Sequence, residues 1–352
     1  MTQQSSLRKI ADEPKEWLSA VNSEVDSRLR KLFSAKEAKA AGMHAALPRL
    51  VKAIRELTLR GGKRLRPSLL AAAFRCVAPD EDWTEIMGAA VAAELLQTFL
   101  LIHDDWMDQA ETRRGGPSVH IMLGGHYGNS HLGDSAAILA GDLAAAYAWE
   151  SLTSMPLSSE RIQSAICAFW EMEEQVAFGQ FLDVVGCRSV ETIHLLKSAS
   201  YSVRGPLRIG AKLGGATEKQ LKTLDCFAIP LGVAFQLRDD LLGTFGDPEQ
   251  TGKPVGNDLR TGKMTALIAD AMQNADKRSW LELESMLKAP MTTPQEIRTA
   301  TTLLERCGSR DRIVDRLRQS VAQATAELAD SPLHVAGVAV LRVLAESMAA
   351  PM

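Results

Sequence analysis

Two groups of aspartates stand out by type and spacing: Asp104-Asp105 with Asp108, and Asp239-Asp240, each following an apolar run. Asp104 and Asp108 are spaced i, i+4, so on a helix both carboxylates project from one face, where like charges repel. Placing them after a buried run adds a desolvation cost. A divalent cation reverses both penalties, and clustered carboxylate oxygens suit magnesium or manganese. A solvated acidic helix end is the bland alternative for either group alone, but two such groups on otherwise buried helices are hard to explain as surface charge. Cations complete the pattern. Lys63 and Arg66 lie three apart after Gly61-Gly62, Arg113-Arg114 follow the first aspartates, and Lys197, Lys253 and Lys263 come later. Guanidinium forks and ammonium groups suit phosphate oxygens. Each singly is more often a surface charge. Together with the acidic groups they suggest a metal-bridged diphosphate beside a second, metal-free anion site.

The elements that must position these groups read as helices. Trp17/Leu18, Val21, Val25, Leu29 and Leu32 recur every three to four residues, as do Ile313, Leu317, Val321 and Leu328, and then Val335, Val338, Leu341 and Leu344. Ala-rich segments at 88–95 and 136–148 favour closely packed helices. No segment alternates with period two. Thr293-Pro294 with Glu296, and Ser331-Pro332, read as helix starts. The expected fold is all-α: one large helical domain over residues 1–352, with 1–40 as a peripheral N-terminal helix.

Composition narrows the class. The 352 residues carry 40 Lys+Arg against 43 Asp+Glu, a net charge of -3, which offers no basic field for nucleic acid. Five scattered cysteines without a Cys-x-x-Cys pair argue against a disulfide framework or structural zinc and fit a reducing compartment, so a cytoplasmic protein is expected. The most apolar stretch, Ile86–Ile102, is interrupted by Glu94 and Gln97, so no transmembrane segment is expected.

These motifs in order resemble the trans-isoprenyl diphosphate synthases, the polyprenyl synthetase family. The pieces are GGKRLRP at 61–67, LLIHDDWMD at 100–108 with RRGGPSVH at 113–120, GQFLDV at 179–184, KSASY at 197–201 and FQLRDDLLGTFGDPEQTGKPVGNDLRTGK at 235–263. The resemblance implies an α-helical fold around a deep central cavity, a homodimer, and three Mg2+ ions joining both acidic motifs to an allylic diphosphate. It implies Asp104, Asp108 and Asp239 as metal ligands supported by Asp105 and Asp240, with Gln180 and Asp183 holding metal-bound water. Arg113, Lys197 and Lys253 would hold the allylic diphosphate, with Ser198 and Lys263 nearby. Lys63, Arg66, Gln97 and Arg114 would hold isopentenyl diphosphate, with Phe235 and Gln236 along its hydrocarbon side. The implied reaction is head-to-tail condensation, with released diphosphate as the base and no dedicated side-chain base; His103 reads as packed beside the motif.

The chain departs from the family once. Gly243 stands at the third acidic position of the second motif, which should leave catalysis intact with weaker metal affinity. Chain length is expected to depend on Phe99, five residues before Asp104 and so about 7.5 Å deeper along a helix. An aromatic residue there, followed by Leu100, resembles geranylgeranyl (twenty-carbon) synthases; ordinary core packing is the alternative for Phe99. Farnesyl diphosphate is the neighbouring product. A class I terpene cyclase, or a non-catalytic synthase subunit, are the competing classes. His120, His126 and His131 match no helical metal pair and read as loop polar groups.

Overall fold

The computed structural model describes residues 13–187, 189–246, 256–260, 262–288, 291 and 293–350. Packing divides the chain into two compact units: Met1–Glu173, Ser202–Asp225 and Asp330–Leu344 form the first, and Glu174–Tyr201, Cys226–Ala329 and Ala345–Met352 the second. The architecture is all-α, as the periodicity predicts. The β structure among the described residues is a two-residue antiparallel ribbon pairing Thr112 with Pro117 and Arg113 with Gly116, too short for a period-two pattern to announce.

In the first unit, α1 (Pro14–Met43) buries Trp17, Val21, Val25, Leu29 and Phe33 and exposes its opposite face. It lies against α2 (Leu47–Leu59), α3 (Leu65–Val77) and α4 (Met87–Met107). α4 is the core helix. Together with the 3-10 turn Trp83–Ile86 it is long and apolar enough to cross a membrane by length and composition, but most of it is buried inside this unit. Its burial rests on α6 (Ser130–Thr153), whose alanines and glycines let the two helices run close, and α5 (Val119–Tyr127) packs on the same helix. α7 (Ser159–Val184) begins here, and α8 (Gly205–Leu213) packs against α3.

Glu94, which breaks the apolar pattern of α4, is explained by Arg64. Both are buried; the Arg64 guanidinium pairs with Glu94, with Asp26 of α1 at 2.8 Å, and with the Thr58 carbonyl. Burial alone would lower the Arg64 pKa, but the two carboxylates outweigh it and hold it above its ordinary value. Removing one partner of such a buried pair costs about 3–5 kcal/mol.

In the second unit, the end of α7 is followed by a helical turn, Val190–Ile193, and a π-helical stretch, His194–Arg204. α9 (Glu218–Phe245), a turn at Asn257–Arg260, α10 (Ala266–Asn274), α11 (Lys277–Leu287), α12 (Pro294–Arg306) and α13 (Ser309–Ala326) follow. α12 opens with a reciprocal capping box between Thr293 and Glu296, as its sequence predicts. The last helix, α14 (Val335–Ala349), which starts in the first unit, corrects the expected start at Ser331-Pro332. The His334 N–H donates to the Cys76 carbonyl at 2.8 Å and its ring accepts from the Ala336 N–H at 3.3 Å, so the long-range anchor at His334 sets the boundary.

Candidate active site

The predicted residues fall into two groups, one in each unit. In the first unit, α4 ends on the first acidic motif. Asp104 is partly accessible, Asp108 exposed, and Asp105 fully buried at 0% exposure. The ribbon that follows returns Arg113 to the helix end, where its Nε donates to Asp105 Oδ1 at 2.7 Å and its Nη2 to Asp104 Oδ2 at 3.3 Å. Burial would depress the Arg113 pKa, but Asp105, Asp104 and Asp108 more than offset it and raise it. This cation is therefore fixed beside the motif before any phosphate arrives.

Arg114 carries the next feature. Its backbone is left-handed, with φ 54°, uncommon for a side chain of this size. The turn sends its guanidinium the other way, to the Leu57 carbonyl at 3.3 Å and over Gly62, where a built Cβ would lie 3.5 Å from its Nη2. The structure thus gathers Arg114 to the Gly61-Gly62 loop that bears Lys63, which is exposed, ahead of Arg66 in the first turn of α3. Arg66 Nη2 donates to Ser202 Oγ at 2.7 Å. Gln97 is buried on α4. Arg64, between the two candidate cations, is turned inward and structural.

In the second unit, Asp239 is exposed and Asp240 is 1% exposed, the same order of accessible then buried. Asp240 Oδ1 accepts from Gln236 Nε2 at 2.7 Å and Oδ2 from the Ala266 N–H at 2.8 Å. Burial pushes the Asp240 carboxyl up to about 6, against the pull of those two donors and Lys263. Gln236, expected along a substrate's hydrocarbon side, is thus committed to orienting Asp240, and Phe235 beside it is half-buried. Lys263 is held above its ordinary value; burial lowers it, but Asp258, Asp239, Asp240 and Asp183 outweigh that.

Lys197 and Ser198 lie half-buried in the π-helical stretch, and Lys197 Nζ meets Asp183 Oδ2 at 2.6 Å. Wide helical turns of this kind recur at functional sites. Close approach requires Gly179: a Cβ there would lie 2.4 Å from the Lys197 backbone nitrogen. The neighbouring Gln180 has a buried Nε2 without a hydrogen-bond partner among the described residues. Lys253 lies outside the described residues.

Two groups escaped the sequence reading. His194, one turn before Lys197, is pushed down to about 4, first by burial and then by Lys263, with Asp183 and Asp239 opposing. Its position three residues before a motif lysine was the available signal. Asp258 stands against Gly243, where a built Cβ would come within 2.3 Å of its Oδ2. A carboxylate from a sequence-distant turn therefore already occupies the space beside the third position of the second motif.

Among the described residues no three His, Cys, Asp or Glu side chains form a ready-made metal cage. The donors nevertheless fit magnesium, which is usually held by one or two carboxylates plus substrate phosphates. Asp104, Asp108 and Asp239 present accessible hard oxygens.

The polyprenyl synthetase family model matches residues 47–304. A geranylgeranyl diphosphate synthase of Methanosarcina mazei is 33% identical over 270 residues, covering 74% of this chain and 78% of that protein. A geranylfarnesyl diphosphate synthase of Aeropyrum pernix is 33% identical over 286 residues, covering 78% and 86%. A crystal structure of geranylgeranyl pyrophosphate synthase from Corynebacterium glutamicum, complexed with isoprenyl diphosphate and magnesium, superposes with a TM-score of 0.85 at 33% identity, covering 92% of this chain and 97% of that one.

Proposed function

Because this chain belongs to the polyprenyl synthetase family, we propose that it condenses isopentenyl diphosphate head-to-tail with an allylic diphosphate, releasing diphosphate and making geranylgeranyl diphosphate. The chain is a prenyltransferase that elongates isoprenyl diphosphates. The observation that carries this reading is the family match itself, whose span includes both acidic motifs and every candidate cation from Lys63 to Lys263.

Asp104, Asp108 and Asp239 would hold magnesium, with Asp105 and Asp240 behind them and Gln180 and Asp183 on bound water. Magnesium so held, three ions in this reading, would neutralise charge developing on the departing diphosphate. Arg113, Lys197 and Lys253 hold the allylic diphosphate and stabilise it as the C–O bond breaks. Lys63, Arg66, Gln97 and Arg114 fix isopentenyl diphosphate so that its double bond attacks the allylic cation. The left-handed Arg114 supports this division, since Arg113 and Arg114 are adjacent in sequence and serve different places. Phe99, half-buried on α4, stops the growing chain at twenty carbons.

A cytoplasmic homodimer completes the reading. Its support is five free cysteines and the exposed apolar side chains Ile121, Tyr127, Leu132, Ile138 and Leu139 along α5 and α6. Product analysis tests the activity: isopentenyl diphosphate is supplied with dimethylallyl, geranyl or farnesyl diphosphate, with and without magnesium. A magnesium-dependent twenty-carbon product is expected. A fifteen-carbon end product with no use of farnesyl diphosphate would replace it by a farnesyl synthase, and a hydrocarbon from farnesyl diphosphate alone by a terpene cyclase.

A further inference from the structure

The residue that governs chain length does not stand alone on its helix. Phe99 and His103 are spaced i, i+4 on α4 and share a face, as Leu100 and Asp104 share another. Their rings meet edge to face, with centroids 4.9 Å apart and planes at 72°. His103 is in turn fixed on the neighbouring helix. Its Nε2 lies 3.0 Å from the Ile138 carbonyl of α6, and because a carbonyl can only accept, Nε2–H donates. Asp142 Oδ1 lies further away, at 3.9 Å. The imidazole rests on the bare backbone of Gly141. A Cβ at that position would be 2.2 Å from Nε2 and 2.4 Å from the adjacent ring carbon, so no larger residue fits beneath the ring in this pose.

A chain of contact therefore runs from the backbone of α6 through an imidazole to the ring of Phe99. An aromatic side chain on a helix has few rotamers, and occupying the space beside it removes some of those. A half-buried phenyl ring without that support could swing toward α6 and give room to a longer hydrocarbon. The metal motif begins at Asp104, directly after His103, so the same helix carries both the reacting end and the stop.

We propose that His103 and Gly141 form a seat that holds the Phe99 ring in its blocking position, making His103 a positioning residue and Gly141 a determinant of product length. The inference rests on the reading of Phe99 as the stop. The hydrogen bond to Ile138 sets the height of the seat, and Gly141 sets its depth.

The test is the product distribution of His103→Ala, Gly141→Ala, Phe99→Ala and the Phe99→Ala/His103→Ala double variant, measured with isopentenyl diphosphate and farnesyl diphosphate. His103→Ala frees the ring, so the ratio of longer to wild-type product should rise roughly tenfold, the discrimination a small change in an apolar pocket supplies. The KM for isopentenyl diphosphate should stay at its wild-type value. The double variant should be no longer in product than Phe99→Ala alone, since both changes act through one ring. Gly141→Ala pushes the imidazole onto Phe99 and should shift the mixture toward shorter product; it carries the test if His103→Ala does not fold. A residue that only supported the fold would lower melting temperature and turnover without changing product length. Wild-type distributions in His103→Ala and Gly141→Ala, with longer product in Phe99→Ala, overturn the seat and leave the stop standing. A wild-type distribution in Phe99→Ala overturns both.

Discussion

Asp105 and Asp240 hold the same place in two motifs, the buried second aspartate behind an accessible first, yet they are balanced by different physics. Asp105 meets a full positive charge, the Arg113 guanidinium, delivered by a ribbon eight residues along. Asp240 is hydrogen-bonded to dipoles, the Gln236 amide and the Ala266 N–H, and feels the Lys263 ammonium only through its charge. A hydrogen-bonded guanidinium offsets desolvation of a carboxylate; two neutral donors and the charge of Lys263 do so only in part, and Asp240 is pushed up to about 6. The protein thus supplies the first motif with a hydrogen-bonded cation of its own. The second carries a raised carboxyl at Asp240 and would gain most from a bound cation.

The largest effect should come from removing the charge at the first motif. Arg113→Met removes the guanidinium that is hydrogen-bonded to buried Asp105 and should cost about 3–5 kcal/mol of stability, read by urea unfolding, together with most of the turnover. Arg113→Lys should recover stability only in part, because an ammonium cannot span Asp105 and Asp104 as a fork does. A small stability loss in Arg113→Met would dissolve the contrast between the motifs.

Next in size is Gly243→Asp. The added Cβ meets Asp258 Oδ2 and brings a second buried carboxylate to it, so about 1–3 kcal/mol of destabilisation is expected in the metal-free protein. A higher magnesium affinity in this variant, by calorimetry, would support the weaker metal binding expected from Gly243. Unchanged affinity would credit Asp258 with meeting that need.

The pH dependence sharpens the same contrast. A carboxyl raised above its unfolded value contributes stability that is fully present below about pH 4 and is lost as pH rises through about 6. Metal-free wild type should therefore lose stability relative to Asp240→Asn between about pH 4 and 7, by roughly 1–3 kcal/mol. Melting curves across that range decide it, and parallel curves would show that Asp240 ionises without penalty. The smallest change is Gln236→Leu, which removes one neutral donor and should cost about 1–2 kcal/mol while moving the Asp240 transition to higher pH.

Legibility in the sequence followed locality. The capping box at Thr293 and Glu296 spans one turn and was readable, whereas the start of α14 depends on His334 reaching the Cys76 carbonyl and was not. Lys63, Arg64 and Arg66 look alike as a basic run; only packing shows that Arg64 is turned inward to Glu94 and Asp26, which also explains the charge inside the most apolar helix. The π-helical turns around Lys197 have no signature at helical period, since they exist where the backbone closes onto Gly179.

What the sequence determined by itself is set by spacing along one helix. Asp104 and Asp108 share a face, Phe99 lies further back along the helix than both, and an apolar run precedes each aspartate pair, because the 3.6-residue repeat converts spacing into direction. What only tertiary structure decided is the partner of each buried charge. Asp240 takes its second donor from a residue 26 positions away and Gly243 faces Asp258, while His103 finds its acceptor 35 positions along on α6. Burial makes such a partner obligatory for Asp240, because an unpaired carboxylate away from water is expensive. Chain order does not say which distant group will satisfy it.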